Sequence, residues 1–450
     1  MTDQLVDSQN LDEVGPIGIN PYIFPTRSYA LYVTFFFLSV IGLSIGYTLA
    51  LTTGKLTSVF QAIELLSFVF LIFSLSRLIK VNFEYSYSRM IAFVFLIWQV
   101  LILVRGDYSD MEYMEVKQFF FDLNYGGLIY FIPLVLFFNF NIFIVKRLFT
   151  SITILSIIFA FCVILNYGVL FNGDLRNLIS LGTAETYFKY LALPIGLLAL
   201  NFNLFTGKTK VLILVVLAMI ILIGIFRARR GMIFMAAAIS FFSGLNYFIT
   251  SKQKFSIFFY SIYVLFGLGV IFLSSKGSDI ENISFFRNIS ERGLEDTRGY
   301  VETCFYNDMS VSDWFVGKGF NGGYKCPGID DSIFKDGIRK VIETDYLQLI
   351  MNGGIVNLIL LFSIMIPAVI LGLFYSNNNL IKTFALWILL WLIFLYPANV
   401  YSLNLFHISV WLSAGICFTR PLRILTNPFI KKYFLSDFTF NSDLKNNNNA

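Results

Sequence analysis

Long apolar runs constrain this chain more than any other feature of its sequence. Runs of roughly 17–25 apolar residues recur along its whole length, and each can cross about 30 Å of hydrocarbon. Charged residues make up 14% of the 450 residues, whereas a soluble domain averages about 25%. A β-barrel would show alternating segments of about ten residues instead. The sequence therefore predicts an all-α, polytopic membrane protein.

The runs predict about twelve transmembrane helices. Their approximate positions are residues 29–50, 58–79, 89–105, 126–145, 148–172, 186–206, 210–226, 231–250, 255–274, 346–375, 381–397 and 404–419. One large hydrophilic loop remains, and we expect it to pack on the outer ends of the helices. The predicted organisation is a tail at 1–28, helices 1–9 within 29–274, the loop at 275–345, helices 10–12 within 346–419 and a tail at 420–450.

The charge of the loops predicts how the chain crosses the membrane. Lys and Arg collect in loops on the cytoplasmic side of membrane proteins. With an even number of helices both termini share a side, and the loops on that side are basic, for example at Lys146, Arg147 and Lys208. The loop at 106–125, on the other side, is acidic. We therefore expect both termini in the cytoplasm and the large loop outside.

A cluster of arginines breaks this charge rule. Arg227, Arg229 and Arg230 join two apolar runs at a turn that the predicted topology puts outside. Guanidinium groups match phosphate oxygens in a bidentate geometry, so the cluster points to a polyanion held at the outer surface. Anchoring to lipid headgroups is an alternative, and a miscounted helix would instead put the cluster inside. The net charge of +5 does not indicate nucleic-acid binding, because the basic residues are spread over many loops.

The loop at 275–345 is too long for a passive connector. Its aromatic residues, among them Trp314 and Phe320, argue against a disordered spacer, and we expect short helices packed on the membrane domain. The loop contains Cys304 and Cys326, which either form a disulfide or are two unrelated thiols. A zinc site is disfavoured because neither a His nor a second Cys pair accompanies them.

Three polar motifs follow one another in and after this loop. FFRNISERGLEDTRGY carries arginines up to Arg298, and WFVGKGFNGGY forms a glycine-rich turn at 314–324. The turn resembles a phosphate cradle only weakly, since no strand precedes it and no Walker lysine follows. IETDYLQLIMNGGI then re-enters the membrane, with Glu343 and Asp345 at the start of the tenth predicted helix. Either carboxylate could act as a general base, although Glu343 could equally cap the helix.

This order of features resembles the O-antigen polymerase and O-antigen ligase superfamily of polytopic membrane glycosyltransferases. The shared order is an outer Arg between two helices, a long outer loop with an Arg ahead of a Gly-x-Gly turn, and a polar position before Tyr-Leu. DLRNLISLGTAETYFKYLALPIGLL, at 174–198, also resembles a family segment, and the likeness covers roughly residues 170–420. The chain looks most like a polysaccharide repeat-unit polymerase (Wzy).

The resemblance implies roles for single residues. It implies that four arginines and a tyrosine bind the pyrophosphate or the substrate, namely Arg176, Arg227, Arg230, Arg298 and Tyr346. Ligases carry a His where this chain has Glu343 in Glu-Thr-Asp-Tyr-Leu, which favours a polymerase and leaves Glu343 or Asp345 as the catalytic base. The single histidine, His407, lies inside the last predicted helix and does not fill that position.

Such a polymerase transfers a growing glycan from undecaprenyl pyrophosphate to a sugar hydroxyl on another lipid-linked repeat unit. The resemblance implies an inverting displacement without a cofactor or metal, on the periplasmic face of a bacterial inner membrane. The implied partners are the lipid-linked oligosaccharide, membrane lipid and a chain-length regulator protein. The alternatives are a ligase that transfers glycan to lipid A core and a lipid-linked oligosaccharide flippase or transporter. A transporter would be expected to show inverted repeats and paired broken helices at mid-depth.

Overall fold

A computed structural model describes residues 25–53, 57–80, 86–108, 119–171, 177–227, 229–250, 297–327 and 337–435. Within these residues, seven helices are long and apolar enough to cross a membrane. Gly127–Phe137, Asn379–Phe394 and Leu405–Phe418 are shorter apolar helices. The prediction of an all-α, multi-pass membrane protein is therefore confirmed. The predicted helix at 255–274 lies outside the described residues.

The helices are numbered here in chain order. The first nine are α1 Arg27–Thr53, α2 Thr57–Leu78, α3 Ser86–Val104, α4 Ile142–Leu165, α5 Tyr167–Leu170, α6 Leu178–Tyr187, α7 Ile195–Leu200, α8 Gly207–Phe226 and α9 Arg230–Thr250. The rest are α10 Thr297–Asp308, α11 Val311–Val316, α12 Asp345–Phe374, α13 Asn379–Phe394, α14 Leu405–Phe418, α15 Arg420–Arg423 and α16 Asn427–Leu435. The antiparallel strands β1 and β2 are Tyr324–Lys325 and Ile338–Arg339.

The predicted membrane helices at 126–145 and 186–206 are not continuous. The run at 126–145 forms a 3₁₀ helix over Gly127–Phe137, and α4 begins only after Asn141, whose side chain caps it. The run at 186–206 consists of a π turn at Phe188–Ala192, then α7, then a 3₁₀ turn at Phe202–Leu204. Pro133 and Pro194 account for part of this irregularity, because proline lacks the N–H that a helix interior needs.

α12 is broken at Gly354, whose φ of 71° is outside the helical region. An unbroken helix of 30 residues would be about 45 Å long, more than the hydrocarbon core requires. The break leaves the carbonyls of Met351 and Asn352 without helical donors. The loop supplies them, because the N–H of Lys318 donates to Met351 at 2.6 Å and that of Gly319 to Asn352 at 3.0 Å. The large loop therefore supplies backbone hydrogen bonds at the break of a membrane helix.

Segments that the sequence predicts on the outer side meet at one end of the bundle, here called the cavity end. The loops at 106–125 and 275–345 join there through the N–H of Asp107, which donates to the Phe320 carbonyl at 2.9 Å. The N–H of Leu403 donates to the carbonyl of Leu123 at 2.7 Å. Described residues of these two loops and of the loop at 398–403 are therefore joined by backbone hydrogen bonds at the cavity end.

The helices α13 and α14 form the buried interior of the bundle. Trp387, Trp391 and Trp411 are fully buried there. His407 is also buried, and its Nε2 accepts a hydrogen bond from the Trp411 indole at 3.0 Å. His407 is thus a packed helix contact, the ordinary role for a histidine inside a membrane helix.

Candidate functional site

A cavity of about 250 Å³ opens at the cavity end of the bundle. Its wall combines charged groups with tyrosines, namely Asp122, Lys340, Asp345, Tyr125, Tyr130 and Tyr401. Four amide side chains also line it: Asn124, Asn321, Gln348 and Asn352. Small-molecule sites usually place a few polar groups among apolar ones, and here Phe119 and Phe320 supply apolar faces. The cavity is the candidate site.

Asp345 is the buried acid of this cavity. It is the first residue of α12, and its side chain is almost fully buried. One carboxylate oxygen, Oδ2, accepts hydrogen bonds from the backbone N–H groups of Val400 at 2.5 Å and Tyr401 at 2.9 Å. The helix N-terminus also favours a negative charge at this position. The loop after α13 and the start of α12 are therefore fixed to each other through one carboxylate.

Lys189 provides the opposite charge. It lies in the π turn, and its ammonium donates to the side-chain oxygens of Asn124 and Asn399, both at 2.7 Å. The neighbouring Tyr190 hydroxyl donates to the same Asn124 oxygen at 2.8 Å. The ammonium also attracts the carboxylate of Asp345. π turns are frequent at functional sites, and this one directs two consecutive side chains at one acceptor.

Lys189 fixes the orientation of both amides, because an ammonium donates hydrogen bonds and cannot accept them. With their oxygens toward Lys189, the NH₂ groups point away. The NH₂ of Asn399 donates to the Tyr125 hydroxyl at 2.9 Å, and that of Asn124 to the Tyr47 hydroxyl at 3.1 Å. Because Tyr125 accepts this bond, its own proton is left to donate to a molecule in the cavity.

The other two tyrosines of the cavity wall are Tyr401 and Tyr130, and both are buried. Burial, followed by the charges of Tyr130 and Asp345, raises the pKa of Tyr401 well above its usual value. Its hydroxyl is therefore a hydrogen-bond donor at neutral pH. The hydroxyl of Tyr130 accepts from the Asn352 amide at 2.8 Å. Asn352 in turn accepts from Gln348 at 3.2 Å, so the helix segment before the Gly354 break belongs to the wall.

The predicted carboxylates occupy different places. Asp345 lines the cavity, whereas Glu343, two residues earlier, is exposed and lies outside the cavity wall. Tyr346, predicted to bind substrate, also lies outside the wall, and its hydroxyl donates to the carbonyl of Leu392 at 2.5 Å. Of the three neighbouring candidates, only Asp345 can touch a molecule in the cavity.

The predicted arginines are dispersed. Arg227 is fully buried, and its guanidinium donates to the carbonyls of Leu170 at 2.6 Å and Val169 at 3.0 Å. These bonds hold the Arg227 guanidinium at the end of α5, and its role in binding a pyrophosphate stays a prediction. Arg230 is exposed at the first turn of α9. Arg176 and the side chain of Arg298 lie outside the described residues.

The two loop cysteines are joined. A disulfide links Cys304 on α10 with Cys326 after β1, and their Cα atoms are 5.3 Å apart. Cys326 is fully buried, in a small cluster of its own with Phe305 and Tyr324. The described part of the loop thus has a compact core beside the cavity. Cys162 and Cys417 are buried thiols in the membrane helices.

The sequence analysis missed Lys189, Asn124, Asn399 and Asp122. One signal was available, because a lysine inside an apolar run is expensive in lipid and is a functional candidate by default. Lys189 lies inside the predicted run at 186–206. The two asparagines lie in short loops far from it in sequence, and nothing local distinguishes them.

No protein-family model, curated protein or solved structure matches this chain. Among the described residues, no group of three or more His, Cys, Asp or Glu side chains is arranged to hold a metal ion.

Proposed function

We propose that this protein is a membrane glycosyltransferase that polymerises lipid-linked polysaccharide repeat units. In this proposal the growing glycan leaves undecaprenyl pyrophosphate and joins a sugar hydroxyl of a second lipid-linked unit. The observation that carries the proposal is the cavity at one end of a membrane helix bundle, with a buried carboxylate and many hydroxyl and amide groups in its wall. Such a wall suits a ligand rich in hydroxyl groups.

Asp345 is the proposed general base. The acceptor oxygen forms a bond to C1 of the donor sugar, its proton passes to the Asp345 carboxylate, and the lipid pyrophosphate leaves with the bonding electrons. Inversion at C1 follows from a single displacement. A general base contributes about 10²–10⁴-fold to such a step. Tyr125 and Tyr401 are the proposed donors that orient the acceptor, because both hydroxyls line the cavity.

Cations at the cavity end are the proposed ligands of the leaving pyrophosphate. Lys340 belongs to the cavity wall, and Arg230 is exposed at the start of α9. The Cβ position of Gly231 is 3.2 Å from the carbonyl of Pro397, which sets this helix start beside the loop that holds Asp345. Positive groups near a departing pyrophosphate stabilise the charge that develops on it.

The proposal includes a topology. About twelve helices would cross a bacterial inner membrane, with both termini in the cytoplasm and the cavity end facing the periplasm. A chain-length regulator protein is a proposed partner. The acidic loop at 106–125 and the basic residues near Lys146 and Arg147 support this orientation.

The test uses purified protein in nanodiscs with undecaprenyl-pyrophosphate repeat units. We expect Asp345→Asn to lower the elongation rate by about 10²–10⁴-fold, with the variant's Tm measured in parallel. Glu343→Gln, the matched control, should elongate at the rate of the unmodified protein. Normal elongation by a folded Asp345→Asn variant would refute the role of Asp345. Transfer only to a lipid A core acceptor would make the protein a ligase instead.

One observation favours a second candidate, a lipid-linked oligosaccharide transporter. Transporters place substrates beside discontinuous helices. Here Lys189 of the π turn bonds the cavity residue Asn124, and the cavity residue Asn352 lies two residues before the Gly354 break. Proteoliposomes with a fluorescent lipid-linked oligosaccharide separate the two candidates. A transporter moves the label across the bilayer without lengthening the glycan, whereas a polymerase lengthens it without moving the lipid.

A further inference from the structure

The short helix α11 of the large loop has an exposed apolar face. Val311 is 76% exposed, Phe315 59% and Val316 36%. The helix begins with a capping box, in which Ser310 and Asp313 exchange hydrogen bonds, so it is a defined helix and not a frayed turn. Trp314 turns the other way and packs against the disulfide-linked cluster around Phe305. The packing of Trp314 on this cluster therefore keeps the apolar face of α11 on the protein surface.

The position of α11 relative to the membrane helices explains this face. The guanidinium of Arg105 donates to the carbonyls of Val316 at 2.7 Å and Gly317 at 2.6 Å. Arg105 directly follows the last residue of α3, a membrane-crossing helix whose Leu101 and Val104 are 40% and 71% exposed. Exposed apolar side chains on such a helix face lipid. α11 therefore lies where the lipid-facing surface of α3 ends.

A second contact independently fixes the position of α11 relative to the hydrocarbon core. The carbonyl of Phe315 lies against Gly354, where a Cβ atom would come within 2.0 Å of its oxygen. Gly354 belongs to α12, and the 20 residues that follow it are enough to cross about 30 Å of hydrocarbon by themselves. The helix end of α3 and the break in α12 thus both set α11 at the edge of the hydrocarbon core.

We propose that α11 lies in the bilayer interface, with Val311, Phe315 and Val316 inserted among the acyl chains. Its partner is a lipid surface, because the apolar face continues the lipid-facing surface of α3. Amphipathic helices bury such faces a few ångströms deep, roughly 5–10 Å, at the boundary of headgroups and chains. The disulfide, the capping box and the Arg105 contacts hold α11 in this orientation.

The same segment reaches the cavity. Phe320 and Asn321, only a few residues after Val316, form part of the cavity wall. The backbone between them is bound to the broken helix through Lys318 and Gly319. The segment therefore has lipid at one end and the cavity at the other. This role rests on the proposed function: a lipid-linked donor in the bilayer passes its glycan across α11 into the cavity. We call this the threshold role of α11.

Spin labels on single introduced cysteines test the interfacial position. The full chain, with its disulfide intact, is labelled at Phe315→Cys and placed in nanodiscs of phosphatidylethanolamine and phosphatidylglycerol. Val104→Cys is the lipid-facing control, and Asn307→Cys, exposed on α10, is the water-facing control. The native thiols Cys162 and Cys417 are buried and stay unlabelled.

The measurement is the accessibility of each label to oxygen, which concentrates in lipid, and to a nickel chelate, which stays in water. We expect the Phe315 label to match the Val104 label, with oxygen favoured over nickel. A Phe315 label that matches Asn307 would overturn the proposal. Protection from both reagents would also overturn it, because that result indicates a protein partner instead of lipid.

The threshold role has its own measurement. Phe315→Ser should raise the apparent KM for the lipid-linked donor and leave kcat unchanged, whereas Thr303→Ser, exposed on α10, should change neither. An unchanged KM in a folded Phe315→Ser variant would overturn the threshold role. If the unmodified protein elongates no glycan, the proposed function fails, while the spin-label result still decides where α11 lies.

Discussion

Replacing Lys189 by methionine removes the charge that organises the cavity while nearly preserving side-chain length. The ammonium donates two hydrogen bonds, to Asn124 and Asn399, and attracts Asp345. Hydrogen bonds to a charged group contribute about 1.5–3 kcal/mol each. Because Lys189 keeps partial exposure, we take the lower end for its two bonds and expect Lys189→Met to lower the free energy of unfolding by about 3 kcal/mol.

The double variant separates the charge pair from the loss of packing. Asp345→Asn alone leaves the partly buried ammonium of Lys189 without the nearby carboxylate and should also be destabilising. In Lys189→Met with Asp345→Asn, neither charge remains, so the combined loss should be smaller than the sum of the single losses by about 1–3 kcal/mol. The exposed Lys208 provides the control, and Lys208→Met should change stability by less than about 0.5 kcal/mol.

The assay is reversible unfolding of the detergent-solubilised protein in increasing denaturant, followed by circular dichroism. The unmodified protein and all four variants are measured in the same detergent, so that differences between them report the side chains. Additive losses, to within about 0.5 kcal/mol, would show that Lys189 and Asp345 do not interact and would refute the reasoning. A Lys189→Met variant as stable as Lys208→Met would also refute it.

Two further predictions concern the large loop. Gly354→Ala should lower Tm far more than Gly207→Ala, because a Cβ at Gly354 would lie 2.0 Å from the Phe315 oxygen and Gly207 has open space; equal Tm values would contradict the close approach. Replacing Cys304 and Cys326 together by serine should lower the stability of the loop by about 2–4 kcal/mol, read as faster proteolysis between residues 297 and 327. A reductant should accelerate proteolysis of the unmodified protein but not of the serine variant.

The sequence was sufficient for the class of the protein because the relevant signal is local. Each apolar run is long enough to cross the membrane whatever the rest of the chain does. The same holds for Asp345, a carboxylate at the start of an apolar run, which the structure places in the cavity wall. The aromatic residues of the loop also predicted short helices, and two are present in its described part, α10 and α11.

The breaks in the helices were not predicted, because a hydropathy pattern averages over many residues. Phe188–Ala192 and Gly354 interrupt runs that are apolar on average, so the pattern predicts continuous helices there. The burial of Arg227 was not predictable for a related reason. Its charge suggested an exposed ligand, but only the packed structure shows that carbonyls of α5 satisfy it inside the bundle.

The hydrogen-bond network of the cavity depends on tertiary structure entirely. Lys189 and Asn399 are 210 residues apart in the chain, and Lys189 and Asn124 are 65 apart. Neither asparagine differs in its local sequence from an ordinary loop residue. Their role arises because helix packing brings three distant segments to one partly buried ammonium, where each amide must turn its oxygen toward Lys189. A sequence specifies which groups can donate or accept, whereas only the packed fold determines which of them meet.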